Sequence, residues 1–275
     1  MNGAWGCNTV RPSRGWRQFS LRTLLLVSIG LGSYAGWWAD RARRQRLAVA
    51  ALQAAGFTVI YGEPYVAPSP LKARLRSWFG PDLFETVTEV RYSSDHAFRR
   101  RRVGDDELAR LRPSLENLPG LERLSLYSHD ATSEGFSQLE GLTRLEGLRL
   151  VTGRGGVGLG TLGRLPPLKG LGLRGSSLDL SSLKSGWPAL SGLSVEYLSH
   201  ADAELLASRA AGLKTLTLIN CRLGEAGIRA VARIPGLEAV HFHERGLGAS
   251  DEAVKGSELL RTLRPDLAVN LAGWD

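Results

Sequence analysis

Two histidines and a glutamate stand together late in the chain, in the segment His241-Phe-His243-Glu244. Side chains alternate between faces in an extended segment, so the two imidazoles share one face. Such a pair can bind a transition metal once a third ligand comes from elsewhere. The matching positions of the preceding extended segment are Thr217 and Ile219, which are not plausible ligands. We therefore expect surface histidines whose charge responds to pH, with a metal-dependent enzyme using His241 and His243 as an alternative.

A glycine-rich segment, Gly153-Arg-Gly155-Gly-Val-Gly158, fits the dinucleotide pattern G-x-G-x-x-G, and Asp179 follows at about the right distance. Only residues 159–165 remain for a helix before the next extended segment begins at Leu168. A parallel crossover in a nucleotide-binding unit needs a full packed helix. The sequence therefore predicts a tight turn here, no cofactor and no catalytic site.

The positive charge is concentrated at the start of the chain. The net charge is +8, and residues 1–46 hold eight arginines against one acid, which leaves +1 on the remaining residues. A run of four arginines, Arg99 to Arg102, lacks interleaved aromatic residues and is typical of a solvated insertion near anionic head groups. We expect no nucleic-acid partner. Two cysteines, Cys7 and Cys221, are too few for a disulfide framework or a cysteine-rich zinc site.

An uncharged run of 17 residues, 23–39, separates two groups of arginines and ends in a tryptophan pair. A helix of that length is about 26 Å long, close to the hydrocarbon thickness of a bilayer. This pattern predicts a single transmembrane helix, with the large domain on the extracytoplasmic side of the cell membrane. The alternative is an exported soluble protein, because Ser33-Tyr34-Ala35 has the small-x-small form of a signal-peptide cleavage site.

An internal repeat organises the rest of the chain. Its pattern is L-x-x-L-x-L, and its first positions are 24, 23, 22, 23 and 24 residues apart. A degenerate copy precedes the six at Val87-Val90-Tyr92, and Val269 with Leu271 forms a last one. The six copies are Leu121-Leu124-Leu126, Leu145-Leu148-Leu150, Leu168-Leu171-Leu173, Leu190-Leu193-Val195, Leu213-Leu216-Leu218 and Leu237-Val240-Phe242.

The spacing predicts an α/β solenoid. The alternating leucines are typical of a strand with one buried face, and a short segment with helical periodicity follows each copy. A strand and a return segment in about 23 residues make one coil, which buries its leucines only when neighbouring coils cover them. We expect 7–8 coils with a parallel sheet on the concave face, and we expect Leu124, Leu148, Leu171, Leu193 and Leu216 to form one row.

These copies resemble the leucine-rich repeat family. The best match is Leu213 to Leu223, in which Cys221 occupies the position that the family fills with asparagine or cysteine. The resemblance covers roughly residues 87–271 and implies that Cys221 is a buried structural thiol. The segment Phe19 to Leu26 is similar to the start of bacterial single-pass leucine-rich repeat proteins.

Four regions follow from this division: a basic tail at 1–22, a transmembrane helix at 23–39, a membrane-proximal helical capping segment at 40–86 and a leucine-rich repeat domain at 87–275. The capping segment contains a predicted helix from Arg41 to Ala55, with Leu47, Ala51 and Leu52 on its buried face. A strand candidate at 57–61, a Pro-rich turn at 64–70 and a second helix at 71–79 come next. At the other end, the predicted cap consists of Leu259, Leu260, Leu263 and Leu267.

Polar residues of the strands are predicted to line the concave face. The first three coils offer Arg123, Arg149 and Arg174 in adjacent rows, which favours an acidic or phosphorylated ligand. We therefore predict a membrane-tethered, non-catalytic interaction module that binds a protein or peptide. The expected contact residues are Arg123, Ser125, Tyr127, Arg149, Arg174, Glu196, Tyr197, His241 and His243.

Overall fold

The computed structural model describes most of the chain from residue 21 onward. The described residues are 21–62, 73–74, 77–78, 80–92, 103–128, 131–152, 157–158, 168–175, 178–179, 189–245 and 250–274. The chain divides into two compact units, Met1–Arg41 and Ala42–Asp275. The basic tail, the Pro-rich turn at 64–70 and the arginine run at 99–102 lie outside the described residues. Of the helix predicted at 71–79, residues 73–74 and 77–78 are described, and they are helical.

The first helix, α1 (Leu21–Ala54), is longer than either of the two helices predicted within it. Its apolar residues before Arg41 are exposed, including Leu24 and Leu26, except for Trp38, which is half-buried. Among the described residues, no helix combines the length and the hydropathy that crossing a bilayer requires. The transmembrane helix predicted at 23–39 is therefore not supported. Glycines and serines interrupt the apolar run and lower its hydropathy.

A nine-stranded sheet forms the centre of the second unit. Eight of its strands are parallel, and the first is antiparallel to its neighbour. The strand order is β1-β2-β3-β4-β6-β8-β9-β10-β11, and β5 pairs with β7 in a separate small sheet. The strands are β1 (Phe57–Tyr61), β2 (Val87–Tyr92), β3 (Arg123–Ser128), β4 (Gly147–Thr152), β5 (Val157–Gly158), β6 (Gly170–Arg174), β7 (Leu178–Asp179), β8 (Gly192–Glu196), β9 (Thr215–Ile219), β10 (Ala239–Arg245) and β11 (Ala268–Trp274).

Helices follow several of the strands and pack on one face of the sheet. A short 3-10 helix at Pro81–Leu83 precedes β2. Side chains of Ser199 and Ser250 cap the helices that follow them, since each accepts a backbone N–H of the first turn. The helices after α1 are α2 (Asp105–Glu116), α3 (Ser133–Ser137), α4 (His200–Arg209), α5 (Gly224–Ala232) and α6 (Asp251–Leu263).

One buried row of aliphatic side chains runs across all eight parallel strands. Each member is matched to the next by the strand pairing, and each is at most 9% exposed. Burying such a side chain contributes about 1.5–3 kcal/mol, so neighbouring coils stabilise one another. The predicted row and the predicted solenoid-like α/β fold are therefore confirmed. The row consists of Val90, Leu124, Leu148, Leu171, Leu193, Leu216, Val240 and Val269.

The predicted caps are partly correct. The strand at 57–61 exists. Of the three residues predicted on the buried face of α1, Leu52 is buried, whereas Leu47 is 63% exposed and Ala51 is exposed. Gln45 is buried instead, and its Nε2 donates to Asp82 Oδ1 (3.2 Å) and to the Glu85 carbonyl oxygen (2.8 Å). These two hydrogen bonds turn Ala48, Val49 and Leu52 toward the core. At the other end Leu260 and Leu267 are buried, Leu259 is half-buried and Leu263 is exposed.

Candidate functional site

Alternate residues of the parallel strands point away from the helices. Residues at matching positions of neighbouring strands form a row that runs across the sheet, and the described residues form three such rows. We call the first two rows the open face. The first row is Glu89, Arg123, Gly147, Gly170, Gly192, Thr215, Ala239 and Ala268. The second is Arg91, Ser125, Arg149, Gly172, Ser194, Thr217, His241 and Asn270. The third contains Tyr127, Val151, Arg174, Glu196, Ile219, His243 and Ala272.

At the β2 end of the open face, two arginines share one carboxylate. Glu89 is buried, and its Oε2 accepts from Arg123 Nε at 3.1 Å while its Oε1 accepts from Arg91 Nε. The hydrogen bond to Glu89 raises the pKa of Arg91, and partial burial opposes that shift. Both guanidinium side chains remain more than half exposed. The cluster of Arg91, Glu89 and Arg123 therefore presents one uncompensated positive charge.

The second uncompensated charge belongs to Arg149. This side chain is exposed and makes no ion pair with any described residue. Its stem lies across the neighbouring strand, since a β-carbon on Gly172 would be 3.2 Å from Arg149 Cγ. Arg123 lies over Gly147 in the same way, again at 3.2 Å from the β-carbon position to Cγ. Each of these two arginines thus depends on a glycine beside it to lie flat on the sheet.

Four glycines stand together at the centre of the open face, and two of them, Gly170 and Gly192, leave the backbone bare. Gly147, Gly170 and Gly192 stand side by side in the first row, and Gly172 lies beside them in the second. A β-carbon on Gly170 would meet no heavy atom within 4 Å, and one on Gly192 would meet only the Lys169 carbonyl oxygen, at 3.9 Å. None of the four has a positive φ. We call this group the glycine patch; glycine within a strand often marks the close approach of another backbone.

The third row is largely closed where it crosses the middle of the sheet. The side chains of Arg174 and Glu196 are 13% and 6% exposed, and they form an ion pair with Arg174 Nε 3.5 Å from Glu196 Oε2. Asn220 Nδ2 donates to the other carboxylate oxygen at 3.1 Å. Glu196 and Arg174, predicted as contact residues, are therefore a buried structural pair. Ile219, next to Glu196 in the row, is also buried.

The three predicted arginines lie on neighbouring strands, as predicted, but at different positions along those strands. Arg123 is in the first row, Arg149 in the second and Arg174 in the third, on the consecutive strands β3, β4 and β6. They lie on a diagonal across the sheet, and only the first two reach the open face. The offset arises because the three repeats carry arginine at different positions relative to their leucines.

A groove lies at the carboxyl ends of β8, β9 and β10. It has a volume of about 720 Å³ and is lined by Tyr197, Leu198, Asn220, Arg222, Glu244 and Ser250. Tyr197 and Asn220 have φ of 61° and 49°, and their N–H groups donate to carbonyl oxygens of the next strand. Glu244 accepts from the backbone N–H and the hydroxyl of Ser250. The positive φ values therefore allow these two N–H groups to pair with the next strand. The Glu244 carboxylate already accepts two hydrogen bonds from Ser250.

The two histidines are adjacent, as predicted. The His241 and His243 rings stack with centroids 6.4 Å apart, and Asn270 Nδ2 lies 3.4 Å from His241 Nδ1. Burial and the neighbouring His241 lower the pKa of His243. Among the described residues, no group of three histidines, cysteines or carboxylates could hold a metal ion. The histidine pair therefore offers only two metal ligands within the described residues, and the alternative of a metal-dependent enzyme gains no further support.

Cys221 makes the contacts expected of a structural thiol. Its Sγ is 3.3 Å from the Ile219 carbonyl oxygen and 3.7 Å from that of Val195, and it accepts from the Leu198 N–H at 3.3 Å. Burial raises the pKa of Cys221 to about 11, against the opposing effect of its backbone hydrogen bonds. The sulfur therefore joins neighbouring coils as a neutral thiol.

Several of the predicted contact residues lie on the sheet or at its edge. Arg123, Ser125, Arg149 and His241 lie on the open face, and Tyr197 is 54% exposed beyond the end of β8. Tyr127 and His243 are in the third row, and both are half-buried; the Tyr127 ring packs 5.5 Å from that of Tyr92. The glycine patch was missed. Its signal is present in the sequence, since three successive strands begin with the dipeptide Gly-Leu.

Comparison of the sequence with known protein families and with characterised proteins found no match.

Proposed function

We propose that this chain is a leucine-rich repeat protein and acts as a non-catalytic recognition module. On this proposal, an extended segment of a partner protein lies on the open face, across the glycine patch. The rows of the open face supply hydroxyl, guanidinium and imidazole groups along neighbouring strands of one sheet. Such a surface suits a ligand that is long and thin.

The glycine patch is the observation that carries this proposal. Glycine in a strand interior is less stable than alanine by roughly 0.5–1 kcal/mol, because its backbone loses more freedom on folding. No positive φ requires glycine at Gly170 or Gly192, and no neighbouring atom excludes a side chain there. Folding therefore gains nothing from these two glycines. The absence of side chains at these two positions does, however, allow a partner backbone to approach the sheet closely.

A selection experiment tests the proposal. We expect the purified full-length protein to enrich binders from a display library of random peptides, and we expect the Gly170→Phe variant to lose them. The added ring occupies open space, so the variant remains folded. The matched control is Gly104→Phe, because a β-carbon at Gly104 also meets nothing within 4 Å and this residue precedes helix α2.

Enriched peptides that bind Gly170→Phe as tightly as the unmodified protein would contradict the proposal. So would a library from which no binder is enriched. Loss of binding in both variants would show a general folding defect, and thermal melting of each variant measures that defect separately.

A further inference from the structure

We infer that the partner segment is an extended peptide rich in acidic residues, whose carboxylates pair with Arg149 and with the cluster of Arg91, Glu89 and Arg123. This inference rests on the proposed function, since it specifies the chemistry of the segment that lies on the glycine patch. Three features support the inference. They are the charges of the open face, the direction of the arginine stems and the spacing of residues in an extended chain.

Charge on the open face is confined to one end. The described residues of its two rows include three arginines and one glutamate, and all four belong to β2, β3 and β4. From β8 onward the two rows carry hydroxyl, amide, methyl and imidazole side chains. Two positive charges are therefore left for a partner, one on Arg149 and one on the cluster around Glu89. A guanidinium binds a carboxylate through two parallel hydrogen bonds, which are about twice as strong as neutral ones.

The glycines place the stem of Arg149 next to exposed backbone. Arg149 extends over Gly172 on β6, whereas the stem of Arg123 lies over Gly147 and its Nε bonds Glu89 on β2. A chain lying over Gly170 and Gly192 would therefore pass beside Arg149, with the cluster around Glu89 two strands further on. Ser194 and Thr217 continue the second row beyond the patch, and their hydroxyls can bond to peptide groups of the same chain.

The spacing suits an extended peptide. Neighbouring strands are about 4.8 Å apart and residues two apart in a strand about 6.8 Å, so the α-carbons of Arg123 and Arg149 are about 8 Å apart along the diagonal. Carboxylates on alternate residues of an extended peptide are about 6.8 Å apart on one face. The flexible arginine side chains cover the small difference. Single-stranded nucleic acid fits less well, because it stacks its bases on aromatic rings and neither row of the open face holds phenylalanine, tyrosine or tryptophan among the described residues.

The test measures binding of a fluorescent ten-residue peptide of alternating glutamate and serine to the full-length protein. Peptides with glutamine or lysine in place of glutamate, and a ten-nucleotide oligothymidine, are the comparison ligands. We expect the glutamate peptide to bind best, and its binding to weaken as salt rises. Arg149→Gln should weaken it about tenfold, the change that corresponds to loss of one charged hydrogen-bond pair. Gly170→Val should weaken it at least as much.

Arg110→Gln is the matched control, because Arg110 is an exposed arginine on α2, outside the sheet. It removes the same charge and should leave binding unchanged. A glutamate peptide that binds all the variants equally would place the contact on other arginines and overturn the inference.

The remaining outcomes separate this inference from the proposed function. If the glutamine peptide binds as well as the glutamate peptide and only Gly170→Val weakens it, the open face binds peptides and the acidic partner is wrong. Oligothymidine binding that exceeds peptide binding and depends on Arg149 would replace the acidic peptide with a nucleic acid. Failure of all the peptides to bind overturns the acidic partner, and the library selection then decides the proposed function independently.

Discussion

Charged residues of the sheet have two different roles in this protein. Arg149 and the cluster around Glu89 keep their charge on the surface, where a partner can reach it. Arg174 and Glu196 have the same side-chain chemistry but are closed off in the third row, where they hold β6 against β8. Residue type alone cannot distinguish an exposed charge from a buried one, because the burial of each side chain is determined by the neighbouring coils.

The buried pair gives a prediction for stability. Glu196→Gln removes the carboxylate charge and leaves the guanidinium of Arg174 in a largely closed site, so we expect the free energy of unfolding to fall by about 3 kcal/mol. Urea unfolding measures this change. The matched control is Glu146→Gln, whose carboxylate forms an exposed pair with Lys169 at 2.7 Å and should change stability by less than about 1 kcal/mol. Equal effects of the two substitutions would show that the third row is open to water.

The thiol of Cys221 gives a prediction for pH dependence. Its pKa is raised to about 11 in the folded chain, above its usual value of about 9, so the unfolded chain loses this proton first as the pH rises. The thiol therefore stabilises the fold fully below about pH 9, and that contribution is lost progressively toward pH 11. We expect the stability difference between the unmodified protein and Cys221→Ala to shrink between pH 8 and about pH 10.5, as followed by urea unfolding. A difference that stays constant over this range would mean that the sulfur is solvated.

At the scale of strands and helices, the repeat spacing determines most of the fold. Alternate leucines fix which face of each strand is buried, and a spacing of 22–24 residues from β3 to β10 brings the same position of each repeat into one row. That much could be predicted from the sequence, and it was correct from β2 to β11.

Two other features could not be predicted, because they depend on contacts far apart in sequence. The buried face of α1 is set by Gln45, whose partners Asp82 and Glu85 lie 37 and 40 residues away. The burial of Glu196 depends on Arg174 and Asn220, which belong to the neighbouring coils on either side. The glycine patch is a different case, since its members are evident in the sequence and only the alignment of Gly147, Gly170 and Gly192 in one row reveals the patch.

The buried row gives a prediction at the same scale. Leu171 is 3% exposed in the central coil, so Leu171→Asp places a charge where no partner or water can reach it. We expect this variant to lose the cooperative thermal transition of residues 87–275, as followed by circular dichroism. Ser194→Asp, which places the same charge on the open face of a nearby strand, is the control and should retain that transition. A melting curve of Leu171→Asp like that of the unmodified protein would contradict the observed register.

For the whole molecule, charge and fold are distributed separately along the chain. Most of the net positive charge lies in residues 1–46, whereas the repeats are almost neutral and hold their charges in pairs such as Lys214 with Glu238. The surface charge left on the sheet is therefore small and local. For the proposed acidic partner, the charged contacts lie at the first strands of the sheet, where that charge is found.

The constant register of the parallel strands has an evolutionary consequence. Because every coil meets its neighbours through the same set of positions, duplicating the DNA for one coil would insert a new strand without disturbing the pairing on either side. Each such event would widen the sheet by about 4.8 Å and move one part of the recognition surface away from the other. Descendants of this gene could thus change the length of the ligand that they accept while keeping the chemistry of each contact.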